Sequence, residues 1–523
     1  MSFLDKIFDI KEEKQITGLT QELKSLYIYQ KFKKNNKSIL FVTSNLNDAS
    51  NIYNSLSHYT DKVWFFPMDD FLTSEAIAIS PEFKTSRLET INNILNEDKQ
   101  IVVTNLMGYL RYLPEKQIFK NNYIKIKKDK EYPIKELEEL LFDIGYKKET
   151  TVTMTGEIAP RGFVIDIFPV NIDEPIRIEF WDDTVDTIKT FDINTQRTIK
   201  EIDEITIFPN TEELIKNSFD IPYREMPKYT KVTNIAGFMN HITIYDNLTD
   251  IKNNYKDLKE EIQSYNTSQN REKNTKYMFD LEEVFEKESI IFETFDNMKD
   301  ALTYNTYQIE PFPKTIKGIN ERLNFYLKKQ KKVIICLDNR YQINKITENL
   351  ENPNLIFTNE NEIYKNKINL IIKNINEGFE TDNYIVITNK ELWNQKKETL
   401  YKTKFRYGSK IKDITKLNIG DYVVHGAHGI GRYEGIRTIT KQGIKKDYLT
   451  VSYKDNDKLY IPVEKLELIT KYSGKEGTVP KLNKLGSHDW EKTKARARKR
   501  AEDIAEDLLK TICNKRIKTW LCL

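Results

Sequence analysis

Cysteine is scarce in this chain. Cys336, Cys513 and Cys522 are the only three in 523 residues, and no two stand at C-x-x-C spacing. Neither a disulfide framework nor a cysteine zinc site is expected, and a reducing cytoplasm fits such usage. Long apolar runs are missing too. None approaches the ~18 residues that span a bilayer, and Met1 to Lys14 is broken by charges rather than built as a signal peptide. No membrane partner is expected. Charge of one sign is not in excess: 82 basic against 79 acidic residues leave +3. That excludes a polyanion-coating surface, so any nucleic-acid contact must be local. His425 and His428, with His488 distant in sequence, lack nearby cysteines or paired carboxylates, so no metal site is expected. With no G-x-S-x-G elbow and no Cys-His pairing, no catalytic residue is assigned.

What is present is a succession of textures too long for one core. Residues 1–115 alternate helical patterns, over 19–32 and 48–59, with apolar strands at 39–43, 63–66 and 101–104. Continuous apolar strands separated by helices predict an α/β domain on a parallel sheet. Residues 116–210 turn β-rich, with runs at 151–154, 163–168, 176–180, 185–191 and 205–208 cut by Gly156, Gly162 and Pro169. They are expected to form a separate α+β domain. Residues 211–300, with one clear strand at 242–245 and a charged helix over 250–265, are expected to rejoin the first sheet. A second α/β domain is read over 301–388, a basic, polar linker over 389–415, a β-rich module over 416–483, and a helix with a short tail over 484–523. The fold class is therefore multidomain α/β and α+β.

Three stretches carry chemistry. The first, Gly18-Leu19-Thr20-Gln21-Glu22-Leu23-Lys24-Ser25, fits G-x-x-x-x-G-K-[ST] except that Leu23 replaces the second glycine. A phosphate loop needs inward N–H groups and no Cβ against the β-phosphate. Leu23 blocks that approach, and Glu22 is read as a negative charge beside it, so Gly18, Leu23, Lys24 and Ser25 form a degenerate loop from which no nucleotide binding is expected.

In the second, Gly156-Glu157-Ile158-Ala159-Pro160-Arg161-Gly162-Phe163 continues to Pro169, followed by Pro175 to Asp182, Phe191-Asp192 and Gln196-Arg197. Arg161, Arg177 and Trp181 on one sheet face would make an interface cluster, since Arg and Trp dominate binding energy.

The third, Gly420 to Leu466, reads as a short strand at Tyr422-Val423-Val424, glycine-punctuated bends and a hairpin around Asp455-Asn456-Asp457. A small curled barrel is predicted. Ile436 and Ile439 are candidate contacts at an exposed strand edge, with alternation allowing Ile439 equally as core. Further on, a helix from Ser487 places Trp490, Ala497, Ala501, Ile504 and Leu508 on one stripe and Lys492, Arg496 and Arg500 on another. The basic stripe reads as a solvated face or as one turned to DNA or a motor.

The third stretch resembles the domain shared by the CarD family of transcription regulators and the transcription-repair coupling factors, a compact SH3-like or Tudor-like barrel. The second is similar to the UvrA-binding domain that those factors share with the excision-repair protein UvrB. The decayed loop and the run from Phe66-Pro67 through Ser80-Pro81 to Ser86-Arg87-Leu88 resemble the UvrB-like N-terminal module, which makes Asp69-Asp70 structural rather than magnesium-binding.

The resemblance implies UvrA contacts through Arg161, Arg177 and Trp181, the last more often Phe in the family. It also implies contact with the RNA polymerase β subunit near Ile439. Double-stranded DNA, ATP and Mg are expected only with the family's C-terminal motor, which lies outside the resemblance: it covers Ile16 to about Arg516, and the ending Trp520-Leu521-Cys522-Leu523 looks foreign to it. Without that region, which masks the UvrA surface in intact members, constitutive UvrA binding is expected. This chain alone is not expected to hydrolyse ATP. Two alternatives stand beside this reading. A stand-alone CarD-like regulator is opposed by the motifs around Arg161, and a UvrB-like ATP-dependent repair enzyme by Leu23.

Overall fold

The computed structural model describes residues 2–393 apart from 11–13, 70–80, 98, 153, 194–195, 215–222, 269–270, 273–274, 294–300 and 351. It also describes 420–471 apart from 426–427, 442–443, 455–456 and 463–468, together with residue 482. Asp70, His488, Cys513, Cys522 and the helix expected from Ser487 lie outside the described residues. Two compact units, 1–406 and 407–523, divide the chain.

Within the first unit, seven strands form an all-parallel sheet in the order Leu302–Thr303, Gln15–Thr17, Ile290–Glu293, His241–Asp246, Ser38–Thr43, Ile101–Asn105, Val63–Phe66. Ser38–Thr43 is buried at every position, as its unbroken apolar run demands of a strand covered on both faces. The covering helices include Gln21–Lys34, Leu46–Leu56, Pro81–Asn96 and Leu248–Ser268. Asn45 starts the second of these by accepting the Asp48 N–H at 2.9 Å, satisfying one otherwise orphaned donor.

Between Ile101–Asn105 and His241–Asp246 the chain builds a second, six-stranded sheet. Its order is Thr198–Ile202, Thr184–Phe191, Ile176–Trp181, Val164–Ile167, Glu157–Arg161, Lys147–Lys148. Ile158, Ile165, Ile167, Ile176, Ile178, Val185 and Ile188 are completely buried on its inner side. Where this insertion returns, Glu212 lies between Arg87 and Arg111, all three only 1–2% exposed. Arg87 donates to both Glu212 oxygens, at 2.7 and 3.0 Å, and Arg111 donates at 2.7 Å. Burial alone would raise the Glu212 carboxyl, but the Arg111 and Arg87 charges outweigh it and hold it at about 2.

A third sheet has the order Tyr307–Gln308, Phe379–Glu380, Tyr384–Ile387, Lys332–Leu337, Ile368–Ile372, Leu355–Phe357. Successive residues of a strand point to opposite faces, and Lys332–Leu337 uses both. Val333, Ile335 and Leu337 pack with Ile319, Leu323 and Ile346 of its own helices. Ile334 and Cys336 instead join the core of Phe3, Leu4, Leu23, Leu26 and Ile28. The N-terminal segment seals that contact, the Phe3 N–H donating to the Glu360 carbonyl at 2.9 Å.

The start of the stretch read as a linker is corrected here. Asn389–Trp393 is a helix with Asn389, Glu391 and Leu392 buried, because the Glu391 carboxylate accepts the Gly378 and Thr388 N–H groups at 3.0 and 2.8 Å. No helix among the described residues is long and apolar enough to cross a membrane.

The second unit contains a five-stranded antiparallel sheet in the order Lys458–Pro462, Ile444–Ser452, Gly429–Lys441, Tyr422–His425, Ile469–Lys471. Val423, Tyr433, Leu449, Val451, Tyr453, Ile461 and Ile469 form its core.

Candidate docking surfaces and a closed strand-to-helix turn

Alternation along Ile176–Trp181 buries Ile176, Ile178 and Phe180 and turns Arg177, Glu179 and Trp181 to the other face. Arg177 sits opposite Asp166, and Arg161 opposite Val164 on the neighbouring hairpin. The structure therefore brings Arg161, Arg177 and Trp181 onto one face, in different conditions. Asp166, 1% exposed, takes both guanidinium groups. Arg177 binds it bidentately at 2.7 and 2.9 Å, also donates to Gln196 Oε1 at 3.1 Å, and lies 4.6 Å from the centre of the Phe191 ring. The hydrogen bonds to Asp166 raise the Arg177 pKa above its usual value. Arg161 donates to Asp166 through Nη2 alone and is twice as exposed, 45% against 22%. Trp181 stands 82% exposed. Asp166 was not singled out from sequence. The signal was available, since a lone carboxylate between Ile165 and Ile167 in a buried strand requires a cation.

At the other candidate site, Gly18 (φ +77°) turns Gln15–Thr17 into the helix Gln21–Lys34. A Cβ there would collide with the Tyr304 carbonyl oxygen, so this glycine admits a crossing chain. Thr306 closes the turn, its hydroxyl donating to the Gly18 carbonyl at 2.5 Å and accepting the Thr20 N–H at 3.1 Å. Lys24 donates to Asp246 at 2.5 Å, Leu23 is wholly buried, and Ser25 bonds back to the Gln21 carbonyl at 3.4 Å. The reading of Glu22 as a charge beside the loop is corrected. It is buried, accepting from Ser55 and, at 2.5 Å, from Tyr59, and burial pushes its carboxyl up to about 7.

In the second unit, Gly429–Lys441 pairs with Tyr422–His425 only through Gly429 to Arg432. Its partner Ile444–Ser452 runs along the other side through to Lys441. Gly420 and Asp421 extend the first pairing to Tyr433, whose N–H donates to the Asp421 carbonyl and whose carbonyl accepts the Gly420 N–H, both at 2.8 Å. From Glu434 to Lys441 one edge of the strand is therefore unpaired among the described residues. Ile436 lies on this stretch, 46% exposed. Ile439 pairs with Lys446, and its side chain lies outside the described residues. His425 and His428 stack at 4.7 Å. Burial and the neighbouring His428 lower the His425 pKa to about 4, and among the described residues no three His, Cys, Asp or Glu groups cluster as metal ligands.

The Arg161–Trp181 face and the open strand edge fall inside two recognisable domains. Residues 124–212 match the UvrB interaction domain family, and residues 417–473 match the CarD-like/TRCF RID domain family. The class they define is a chain joining a UvrB-type interaction domain to a CarD-type domain. Over nearly all its residues the chain is a homologue of the transcription-repair-coupling factors. That of Staphylococcus haemolyticus is 27% identical over 94% of this chain and 48% of its own length. The factor of Staphylococcus epidermidis is 26% identical over 97% and 49%, and that of Staphylococcus aureus 26% over 94% and 48%. The chain spans about half the length of these relatives.

Proposed function

We propose that this chain is a two-ended adaptor linking stalled RNA polymerase to nucleotide excision repair, the role of an N-terminal portion of a transcription-repair-coupling factor. The observation that carries it is the pairing, in one chain, of an exposed Arg161–Trp181 face inside a UvrB interaction domain with an open strand edge inside a CarD-like domain. UvrA docks on Arg161, Arg177 and Trp181, with Arg161 and Trp181 outermost. The RNA polymerase β subunit docks on the edge carrying Ile436 and Ile439, where backbone N–H and C=O groups supply affinity.

The five-stranded sheet is taken to curl into an SH3-like or Tudor-like barrel. In support, the two edge strands are consecutive in the chain, Lys458–Pro462 being followed by Ile469–Lys471. The Gly18 turn is assigned no nucleotide, since Thr306 and Asp246 already occupy the groups a phosphate would use. Double-stranded DNA contact is assigned to the longer, full-length protein, and the setting is the cytoplasm. Arg161→Ala is expected to lose UvrA and keep polymerase, and Ile436→Arg to do the reverse. If either variant loses both partners, or neither, the two-ended reading fails.

A further inference from the structure

The sheet face assigned to UvrA ends in a turn whose contents the motif does not explain. Arg161 and Val164 pair across Gly162-Phe163, and Gly162 adopts φ +63° with nothing within 4 Å of where a Cβ would stand. The turn is thus backbone held out into open space. Phe163, at its tip, is 60% exposed, yet its position is set, because its carbonyl accepts the Phe180 N–H at 2.8 Å. Trp181 is the next residue along that strand. Two of the large exposed apolar side chains in the first unit therefore sit at one end of one sheet, the end at which Arg161 stands.

The charges there are unequal. Asp166 is one carboxylate against the guanidiniums of Arg161 and Arg177, leaving one positive charge. Glu179, next to Arg177 on the same face, is taken up by Lys189 at 2.6 Å and Thr187 at 2.7 Å. Arg177 is spent on Asp166 and Gln196 and packed against Phe191. The more accessible guanidinium donors belong to the half-exposed Arg161, which holds Asp166 through Nη2 alone. Exposed aromatics cost free energy unless something covers them, and a cation between aromatic walls strengthens as water is excluded from it.

We propose that Phe163 is a further contact residue of this surface, and that Phe163 and Trp181 flank Arg161 to receive a carboxylate of the partner protein set among apolar side chains. The inference rests on the assignment of this face to UvrA. Arg161 supplies the charge-assisted hydrogen bond, and the two rings supply the dry rim that makes it count. Asp166 acts as a positioning residue, fixing both arginines from beneath.

The test is UvrA binding by the full chain and by its Phe163→Ala, Arg161→Ala and Trp181→Ala variants, each at two salt concentrations and with melting temperature recorded. Phe163→Ala is expected to weaken binding at least tenfold without moving the melting temperature or the salt dependence. Arg161→Ala is expected to weaken it and flatten the salt dependence. If Phe163→Ala binds within twofold of the parent while the other two fail, the inference is overturned and the docking assignment stands. If the parent chain does not bind UvrA, the assignment fails and the inference with it. A self-association of the parent that Phe163→Ala abolishes would give the aromatics to a second copy of the chain, which also overturns it.

Discussion

Lys24, on the helix Gln21–Lys34, places its ammonium 2.5 Å from the carboxylate of Asp246 at the end of the strand His241–Asp246, with both side chains largely buried. In a nucleotide loop that lysine would be free to reach phosphate; here its charge is already matched. Burial pushes the Asp246 pKa up, and Lys24 works against that rise.

The full chain is accordingly expected to give no saturable signal with a fluorescent ATP analogue. Lys24→Ala is expected to lower stability by about 2 kcal/mol, less than the fully buried limit, by stranding Asp246. Micromolar nucleotide binding that Lys24→Ala removes would contradict this account of the turn.

The Arg87–Glu212–Arg111 cluster ties the inserted second sheet to the first domain. Glu212→Gln leaves two buried guanidiniums short of a counter-charge, so unfolding at pH 7 is expected to become easier by about 3 kcal/mol. The folded-state pKa of about 2 lies below the ordinary value of 4.5. The contribution is therefore complete above pH 4.5 and disappears as pH falls through 2. Denaturant titrations at pH 7 and pH 3 measure it, and a variant equal to the parent at pH 7 would refute the role.

Glu22 has the opposite sign. Its pKa, raised by burial to about 7, means that the folded state favours the protonated acid. Stability from this group is full below pH 4.5 and lost as pH rises through 7. Glu22→Gln, which keeps the shape without the charge, is expected to leave the melting temperature unchanged near pH 4.5 and raise it at pH 8. The gain has a ceiling of about 3 kcal/mol. A gain of the same size at both pH values would show that charge is not the cause.

Ile436 is half-exposed on the free edge of Gly429–Lys441. Ile436→Arg is expected to cost less than about 0.5 kcal/mol in stability, as surface substitutions do, while weakening polymerase binding at least tenfold. Thermal melting beside a binding titration separates the two. A large fall in melting temperature would make the residue core.

The sequence made the strong elements legible because their patterns are local. The apolar run 39–43 is the strand Ser38–Thr43, and the helical pattern over 19–32 is Gln21–Lys34. Alternation brought Arg177 and Trp181 to one face. What stayed hidden depended on distant chain. Nothing near Gly18 announces that Thr306 returns 288 residues later to cap it, or that Lys24 meets Asp246. The Glu22 reading failed because spacing cannot say which side of a helix faces Ser55 and Tyr59. Leu302–Thr303, at two residues, is too short to have a period at all. In the site, the motif pointed to Arg161 and Arg177 but not to their division of labour, which Asp166 decides from the next strand.

The central claim is that one chain holds two partners at once. The most direct test is to immobilise RNA polymerase, add this chain, and measure retention of UvrA. Retention that requires the chain, and that both Ile436→Arg and Arg161→Ala abolish, is the predicted result. UvrA retained without the chain, or binding of one partner that expels the other, would contradict it.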